Sequence, residues 1–215
     1  LILKEPDLGN FSLIFSITLI LLFVAGLKLR YFFYTFMMMI PASYVIMKLN
    51  PEKFNRVLAF LTPENYANTY SFQSLQSIYA IGSGGIFGKG LGNSAQKLYF
   101  LPYAYSDFIY AVIGEEVGLV GCAVVIGLFM IFMVRGLNIA RQSGNLHTYL
   151  LVVGLTFLLV VQSLINISVT LGIFPTKGIP LPFISNGGSS LVASMIIAGI
   201  ILNVSRHRKT VLSND

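Results

Sequence analysis

Five strongly apolar runs without a charged residue divide this chain, and their lengths restrict what it can fold into: Leu8 to Leu27, Tyr31 to Met47, Val117 to Val134, Thr148 to Thr176 and Gly178 to Ser205. Roughly 20 apolar residues in a helix cross the hydrocarbon core of a bilayer, and a charge at its centre costs about 3 kcal/mol. Hydrophobic residues make up 55% of the 215 and charged residues 10%, with a mean hydropathy of +0.79. A water-soluble globular domain does not have that composition. The expected class is an all-α polytopic membrane protein with about five transmembrane helices, over 8–27, 31–47, 108–134, 148–173 and 183–205, and a long outer loop over 48–106.

The second run is short and carries Pro41, which fits a tilted or kinked helix. Between the last two, "GIFPTKGIPLPFISNGGSS" holds three prolines and four glycines. That composition predicts an ordered or re-entrant loop, because proline removes donors and glycine loosens the backbone. Cys122 lies inside an apolar run and has no second cysteine to pair with, so it reads as a small packing residue. The chain opens at Leu1 without the pattern of a signal peptide and is expected to be a fragment.

Orientation follows from the short connections. Lys28 and Arg30, then Arg135 and Arg141, then Arg206, Arg208 and Lys209 fall on one side, which reads as cytoplasmic. The total of 14 Lys and Arg divides evenly between the sides, but long loops translocate largely regardless of charge. The 48–106 stretch is therefore placed outside the cytoplasm. It opens with "NPEKFNRVLAFLTPE", where Phe54, Val57, Leu58 and Leu61 recur at helical spacing, as in an amphipathic helix lying on the bilayer. Its glycine-rich part, "QSLQSIYAIGSGGIFGKGLG", has neither the Walker spacing nor a strand-turn-helix context, so a nucleotide site is excluded. There is no Cys/His cluster, HExxH or GxSxG, so zinc and serine hydrolase chemistry has no support and no metal ligands are assigned.

Three acids, Asp107, Glu115 and Glu116, stand at the entrance to the third span. On a continuous helix Ala111, Gly114, Gly118 and Gly121 fall within about 40° of Asp107, so that acid shares a face with small residues and borders protein or water. Glu115 and Glu116 lie roughly 12 to 14 Å deeper and cannot share a site with it. Structural pairing with cations or backbone donors is the reading for these two, since an unpaired buried carboxylate is expensive. For Asp107 two readings stand: a chemical group, or a helix N-terminal acid favoured by the dipole.

The series "FQSLQSIYAIGSGGIFGKGLGNSAQKLYFLPYAYSDFIYAVIGEEVGLVG" and "GIFPTKGIPLPFISNGGSSL" resembles the SEDS family (shape, elongation, division and sporulation), polytopic membrane glycosyltransferases that polymerise peptidoglycan. The similarity runs from about "EPDLG" to "NVSR", and "FPTKGIPLPFIS" is more like the division branch than the elongation branch. The resemblance implies a ten-span protein of which this chain is the second half. It implies a catalytic acid at Asp107, after Leu101 and Pro102 and before Phe108. It also matches recurrent family positions at Arg56, Gln73, Gly84, Gly85, Lys89, Pro102, Glu115, Glu116, Pro180, Pro182, Gly187, Gly188 and Ser189. Ser106 stands where a threonine is usual and keeps the hydroxyl, and Asn186 stands where a tyrosine is usual.

What the resemblance implies chemically is inverting transfer on lipid II, an undecaprenyl-pyrophosphate-linked disaccharide peptide. An acceptor 4-hydroxyl attacks the donor anomeric carbon, and a carboxylate within hydrogen-bond reach takes its proton. The leaving pyrophosphate gathers negative charge, to be stabilised by Lys or Arg or by a divalent cation such as Mg or Mn. Arg56, Lys89 and Lys97 are the basic candidates. Gln73, Ser106 and Ser189 are candidate substrate contacts, and Glu115, Glu116, Gly84, Gly85, Pro180, Pro182, Gly187 and Gly188 are structural. The implied partner is a class B penicillin-binding protein, a transpeptidase; no nucleic acid is expected. The implied location is the bacterial cytoplasmic membrane, with the catalytic face outside. Two other functions share these features: a flippase for the lipid-linked precursor, and a scaffold of the division machinery.

Overall fold

The computed structural model describes residues 8–35, 37–38, 41, 51–62, 66, 71–94, 105–176 and 178–211, with the side chains of 8, 51–53, 56–57 and 207–211 excepted. Lys97, Leu101, Pro102, most of the 31–47 run and the Arg56 side chain lie outside that description. The regular elements within it are helical: α1 (Leu8–Val24), α2 (Pro51–Leu61), α3 (Phe72–Gly84), α4 (Ile109–Arg141), α5 (Leu146–Thr170) and α6 (Gly188–Val211). Residues 29–35 are helical as well. Among the described residues three helices are long and apolar enough to cross a membrane: Ile109–Arg141, Leu146–Thr170 and Gly188–Arg206. The chain is a polytopic, all-helical membrane fragment.

Helices α4 and α5 form a tight hairpin. The connection closes because Asn145 caps α5, its side-chain oxygen accepting from the Thr148 N–H at 2.7 Å, and no acid or proline interrupts either apolar run beyond it. Lipid tails are as apolar as leucine, so the hairpin is held by close packing rather than by burial from water. Gly136 of α4 lies directly against Thr156 of α5, where an added Cβ would come within 2.3 Å of the threonine hydroxyl oxygen. On another face of α5, Gly154 receives Leu21 of α1. Ala140, Val152, Val153 and Ile201 form a shared core of α4, α5 and α6. Helix α5 ends at Thr170, and two residues on Gly172, with φ +71°, turns the chain away while its N–H bonds to Val169 O.

Helix α4 is not one rod. Gly118 has φ 74 and ψ −164, which breaks it into two helices. In a straight helix Tyr110 and Cys122 would be separated by about 18 Å, with the tyrosine pointing further away, towards the N-terminus. Here the Tyr110 hydroxyl lies 3.4 Å from Cys122 O, so the first part folds back on the second. This corrects the continuous-helix reading: the helix starts at Ile109, Asp107 belongs to the turn before it, and Gly118 and Gly121 do not continue the Asp107 face. Ala111, Gly114, Gly118 and Gly121 are all buried, through the fold-back and the packing of α3.

Helix α3 lies beside the first part of α4 and runs in the same direction, Ala80 packing on Phe108, Ala111 and Val112 and Gly84 on Gly114 and Glu115. It is tied to the end of α5 as well, the Ser77 hydroxyl donating to Thr170 O at 2.9 Å.

Candidate functional site

Asp107 sits in the turn 105–108, half-buried, where three segments far apart in sequence meet. From α5, the Asn166 amide nitrogen donates to Asp107 O and to Ile179 O, both at 2.8 Å. From the proline-rich loop, the Ser185 hydroxyl donates to Ser106 O, and Asn186 N donates to Tyr105 O at 2.9 Å. The same Ser185 oxygen accepts from Leu181 N at 2.7 Å, and Gln162 donates to Pro180 O at 2.9 Å. Proline cannot donate, so a loop carrying Pro180 and Pro182 is short of donors for its own carbonyls. Helix α5 donates to Ile179 O and Pro180 O, the 105–108 turn offers its carbonyls to the loop's Ser185 and Asn186, and together these fix the loop over Asp107. Gly178 of the loop is close enough that a Cβ there would lie 3.6 Å from Asp107 Oδ2.

Burial pushes the Asp107 carboxyl above its ordinary value, and the hydrogen bond with the Ser106 side chain pulls in the opposite direction. The carboxylate is thereby made more basic while it retains a donor for its ionised form. Desolvation without full enclosure is how a carboxylate becomes a proton acceptor that still meets a substrate.

Glu115 has a different environment. It is fully buried, and its oxygens receive the Lys89 ammonium at 2.9 Å, the Ser83 hydroxyl at 3.4 Å and the Ser94 hydroxyl. Lys89 also bonds to Ser83 at 2.8 Å. Backbone amides of the same glycine-rich turn reach the carbonyls of both glutamates, Lys89 N to Glu115 O at 2.9 Å and Gly90 N to Glu116 O at 3.0 Å. Gly84 permits this approach, since a Cβ there would fall 1.9 Å from Gly114 O.

The residues singled out in the sequence therefore separate into groups. Asp107, Ser106, Pro180 and Pro182 come together around the 105–108 turn; Glu115, Glu116, Gly84, Gly85 and Lys89 form the packed junction of α3, the glycine turn and α4. Gln73 lies in the first turn of α3, and Ser189, exposed, in the first turn of α6 just after Gly187 and Gly188. The backbone of Arg56 is in α2. Sequence reasoning missed Asn166, Gln162, Ser185 and Ser94. A signal existed for two of them: Gln162, Asn166 and Thr170 follow one another at i, i+4 and i+8 in an otherwise apolar run, a polar stripe on one helix face.

The fold and this site define a class: a helical membrane protein that fixes a half-buried carboxylate at one end of its bundle. Residues 1–210 match the family model described as Cell cycle protein, that of FtsW, RodA and SpoVE. The chain is similar to the probable peptidoglycan glycosyltransferase FtsW of Trichlorobacter lovleyi, 41% identical over 209 residues that cover 97% of this chain and 55% of that protein. It is similar also to the stage V sporulation protein E of Bacillus subtilis, 35% identical over 97% of this chain and 57% of that one. A chain in a solved structure described as "Structural coordination of polymerization and crosslinking by a peptidoglycan synthase complex" superposes with a TM-score of 0.75 at 28% identity, over 96% of this chain and 57% of that chain. The protein belongs to the FtsW/RodA/SpoVE family, the SEDS proteins. It spans about half the length of the curated relatives it matches.

Proposed function

We propose that this chain is the second half of a peptidoglycan glycosyltransferase that polymerises lipid II at the outer face of the bacterial cytoplasmic membrane, with Asp107 as the general base. Five spans carry it, and the 48–106 stretch lies outside. The observation that carries the reading is the contrast between two carboxylates. Glu115 is enclosed and engaged by Lys89, Ser83 and Ser94. Asp107 is half-exposed, made more basic by burial, and held on a turn anchored by Asn166 and Ser185.

In the reaction the acceptor 4-hydroxyl loses its proton to Asp107 as its oxygen bonds to the donor anomeric carbon. The bond from that carbon to the pyrophosphate oxygen breaks on the opposite face, inverting the centre, and polyprenyl pyrophosphate leaves. Among the described residues no group of three or more His, Cys, Asp or Glu gathers as a metal site; a divalent cation, if bound, would add positive charge beside the leaving pyrophosphate. Charge on the leaving group falls to basic residues of the outer face, Arg56 and Lys97; Lys89 is already engaged by Glu115. Ser106, Gln73 and Ser189 are the substrate contacts of this reading, and the partner is a class B penicillin-binding protein acting on the strands produced.

A flippase needs polar side chains lining a path through the bilayer. The amide nitrogens of Gln162 and Asn166 and the hydroxyl of Thr170 are instead bonded to backbone carbonyls, which favours a site at one face. The test is the complete protein with its transpeptidase on purified lipid II, scoring glycan strands and lipid translocation separately. Strands without translocation are expected, and lost in Asp107→Asn; translocation without strands overturns the reading.

A further inference from the structure

The glycine-rich turn after α3 repairs the break in α4. In an unbroken helix Leu119 N would bond to Glu115 O and Val120 N to Glu116 O. At Gly118 both bonds are replaced by partners from the turn. Glu115 O and Glu116 O accept from Lys89 N at 2.9 Å and Gly90 N at 3.0 Å, while Leu119 N and Val120 N donate to Gly85 O at 2.9 Å and Ile86 O at 3.3 Å. The turn is thus a splint whose backbone is satisfied by the helix it enters. Irregular backbone is tolerated at membrane depth only under that condition.

The chemistry of the splint is graded along α4. Lys89 and Gly90 pair with residues 115 and 116, on the acidic side of the break; Gly85 and Ile86 pair with residues 119 and 120, at the start of the apolar part. Within residues 82–94 Lys89 is the sole charge, and Glu115 neutralises it. The tip presents Ile86 and Phe87, 61% and 83% exposed, beside Leu119 at 63% and Val120 at 48%. Leu119 to Val134, the charge-free helix beyond the break, spans about 24 Å, less than the roughly 30 Å of a hydrocarbon core. The start of that helix, and the tip bonded to Leu119 and Val120, therefore lie inside the hydrocarbon boundary.

We propose that residues 85–88 form a membrane-inserted wedge, with Ile86 and Phe87 seated among the acyl chains of the adjoining leaflet and Lys89 held at the headgroup level by Glu115. The apolar tip continues the lipid-facing surface of α4, and the charge is withdrawn from it. This assignment does not depend on the reaction the protein catalyses.

None of these 215 residues is tryptophan, so Phe87→Trp, made in the complete protein with any tryptophan of its other half replaced by phenylalanine, adds a single reporter at an exposed position. The protein is reconstituted in phosphatidylcholine vesicles with and without lipids brominated on the acyl chains. The wedge predicts blue-shifted emission that loses more than half its intensity to brominated chains and little to aqueous iodide. Ile86→Trp reads the same depth should the first variant fold poorly. Iodide quenching without bromolipid quenching places the tip in water and overturns the proposal. Protection from both quenchers means that protein covers the tip, and overturns it equally.

Discussion

The amide nitrogen of Asn166, near the C-terminal end of a membrane-spanning helix, lies 2.8 Å from the main-chain oxygen of Asp107 and the same distance from that of Ile179. One buried side chain thereby joins the turn that carries the acid to the proline-rich loop that closes over it. Neither carbonyl belongs to a helix, so neither has a helical N–H to accept from. The position of Asp107 is set by α5 more than by the helix it precedes.

Asn166→Leu keeps approximate size and removes both donors. Each carbonyl left unsatisfied costs about 1–3 kcal/mol. A lower melting temperature is therefore expected, and in the folded fraction a fall in kcat of about 10- to 100-fold with KM little changed, since a displacement of about 1 Å suffices. Melting curves and steady-state rates on lipid II check this. Unchanged kcat in well-folded protein would show that the turn holds its place without Asn166.

Much of the fold was legible because a bilayer permits few solutions: helices α4, α5 and α6 each contain a long apolar run that admits no charge. What was not legible is where backbone pairs with backbone. Gly118 read as one more small packing residue, and nothing in the sequence ties it to Gly85 and Ile86, whose carbonyls receive the amides its conformation releases. Glu115 signalled a need for a cation, but the chain offers several, and only the parallel course of α3 beside α4 selects Lys89. Asp107 was singled out by its motif, whereas its support from Asn166 and Ser185 needed the proline-rich loop to be placed in space.

The Lys89–Glu115 pair is asymmetric, with the lysine side chain 40% exposed and the glutamate fully enclosed. Lys89→Met leaves a buried carboxylate with two hydroxyl donors, and breaking a buried pair this way costs a few kcal/mol, reduced here by the solvated side of the lysine. Glu115→Gln leaves a cation that can turn to water and should cost less. The double variant should recover part of the Lys89→Met loss. A double-mutant cycle on melting temperature measures this, and equal losses from the two single variants would contradict it. Surviving protein should keep much of its specific activity in each case.

Two glycines two residues apart should respond oppositely to alanine. Gly82 is helical with nothing within 4 Å of an added Cβ, so Gly82→Ala stabilises by about 0.4–1 kcal/mol through the unfolded state. Gly84→Ala drives a methyl into Gly114 O at 1.9 Å and must separate α3 from α4. Folded yield and melting temperature in detergent should rise for the first and collapse for the second. Similar values for both would mean that α3 does not pack on α4 as described.

Asp107→Asn keeps shape and removes the proton acceptor, so the polymerisation rate should fall by about 10²- to 10⁴-fold. Stability should move the other way. Because burial raises the Asp107 pKa above its ordinary 3.8, the folded state binds that proton more tightly than the unfolded chain does. Its contribution to stability is fully present below the unfolded value and is lost as pH rises through the folded one. At neutral pH the asparagine variant should therefore melt no lower than wild type, and higher if its amide retains a hydrogen bond with Ser106. The same shift places the acid limb of kcat/KM above the ordinary carboxylate range. Ser106→Ala removes the bond that opposes the shift and should carry that limb to still higher pH, with a lower plateau because the hydroxyl's substrate contact is lost as well. Rates on lipid II across pH, beside melting curves, decide the matter. Wild-type turnover by Asp107→Asn would remove the base from the mechanism, and an acid limb unmoved by Ser106→Ala would detach it from the Asp107 carboxyl.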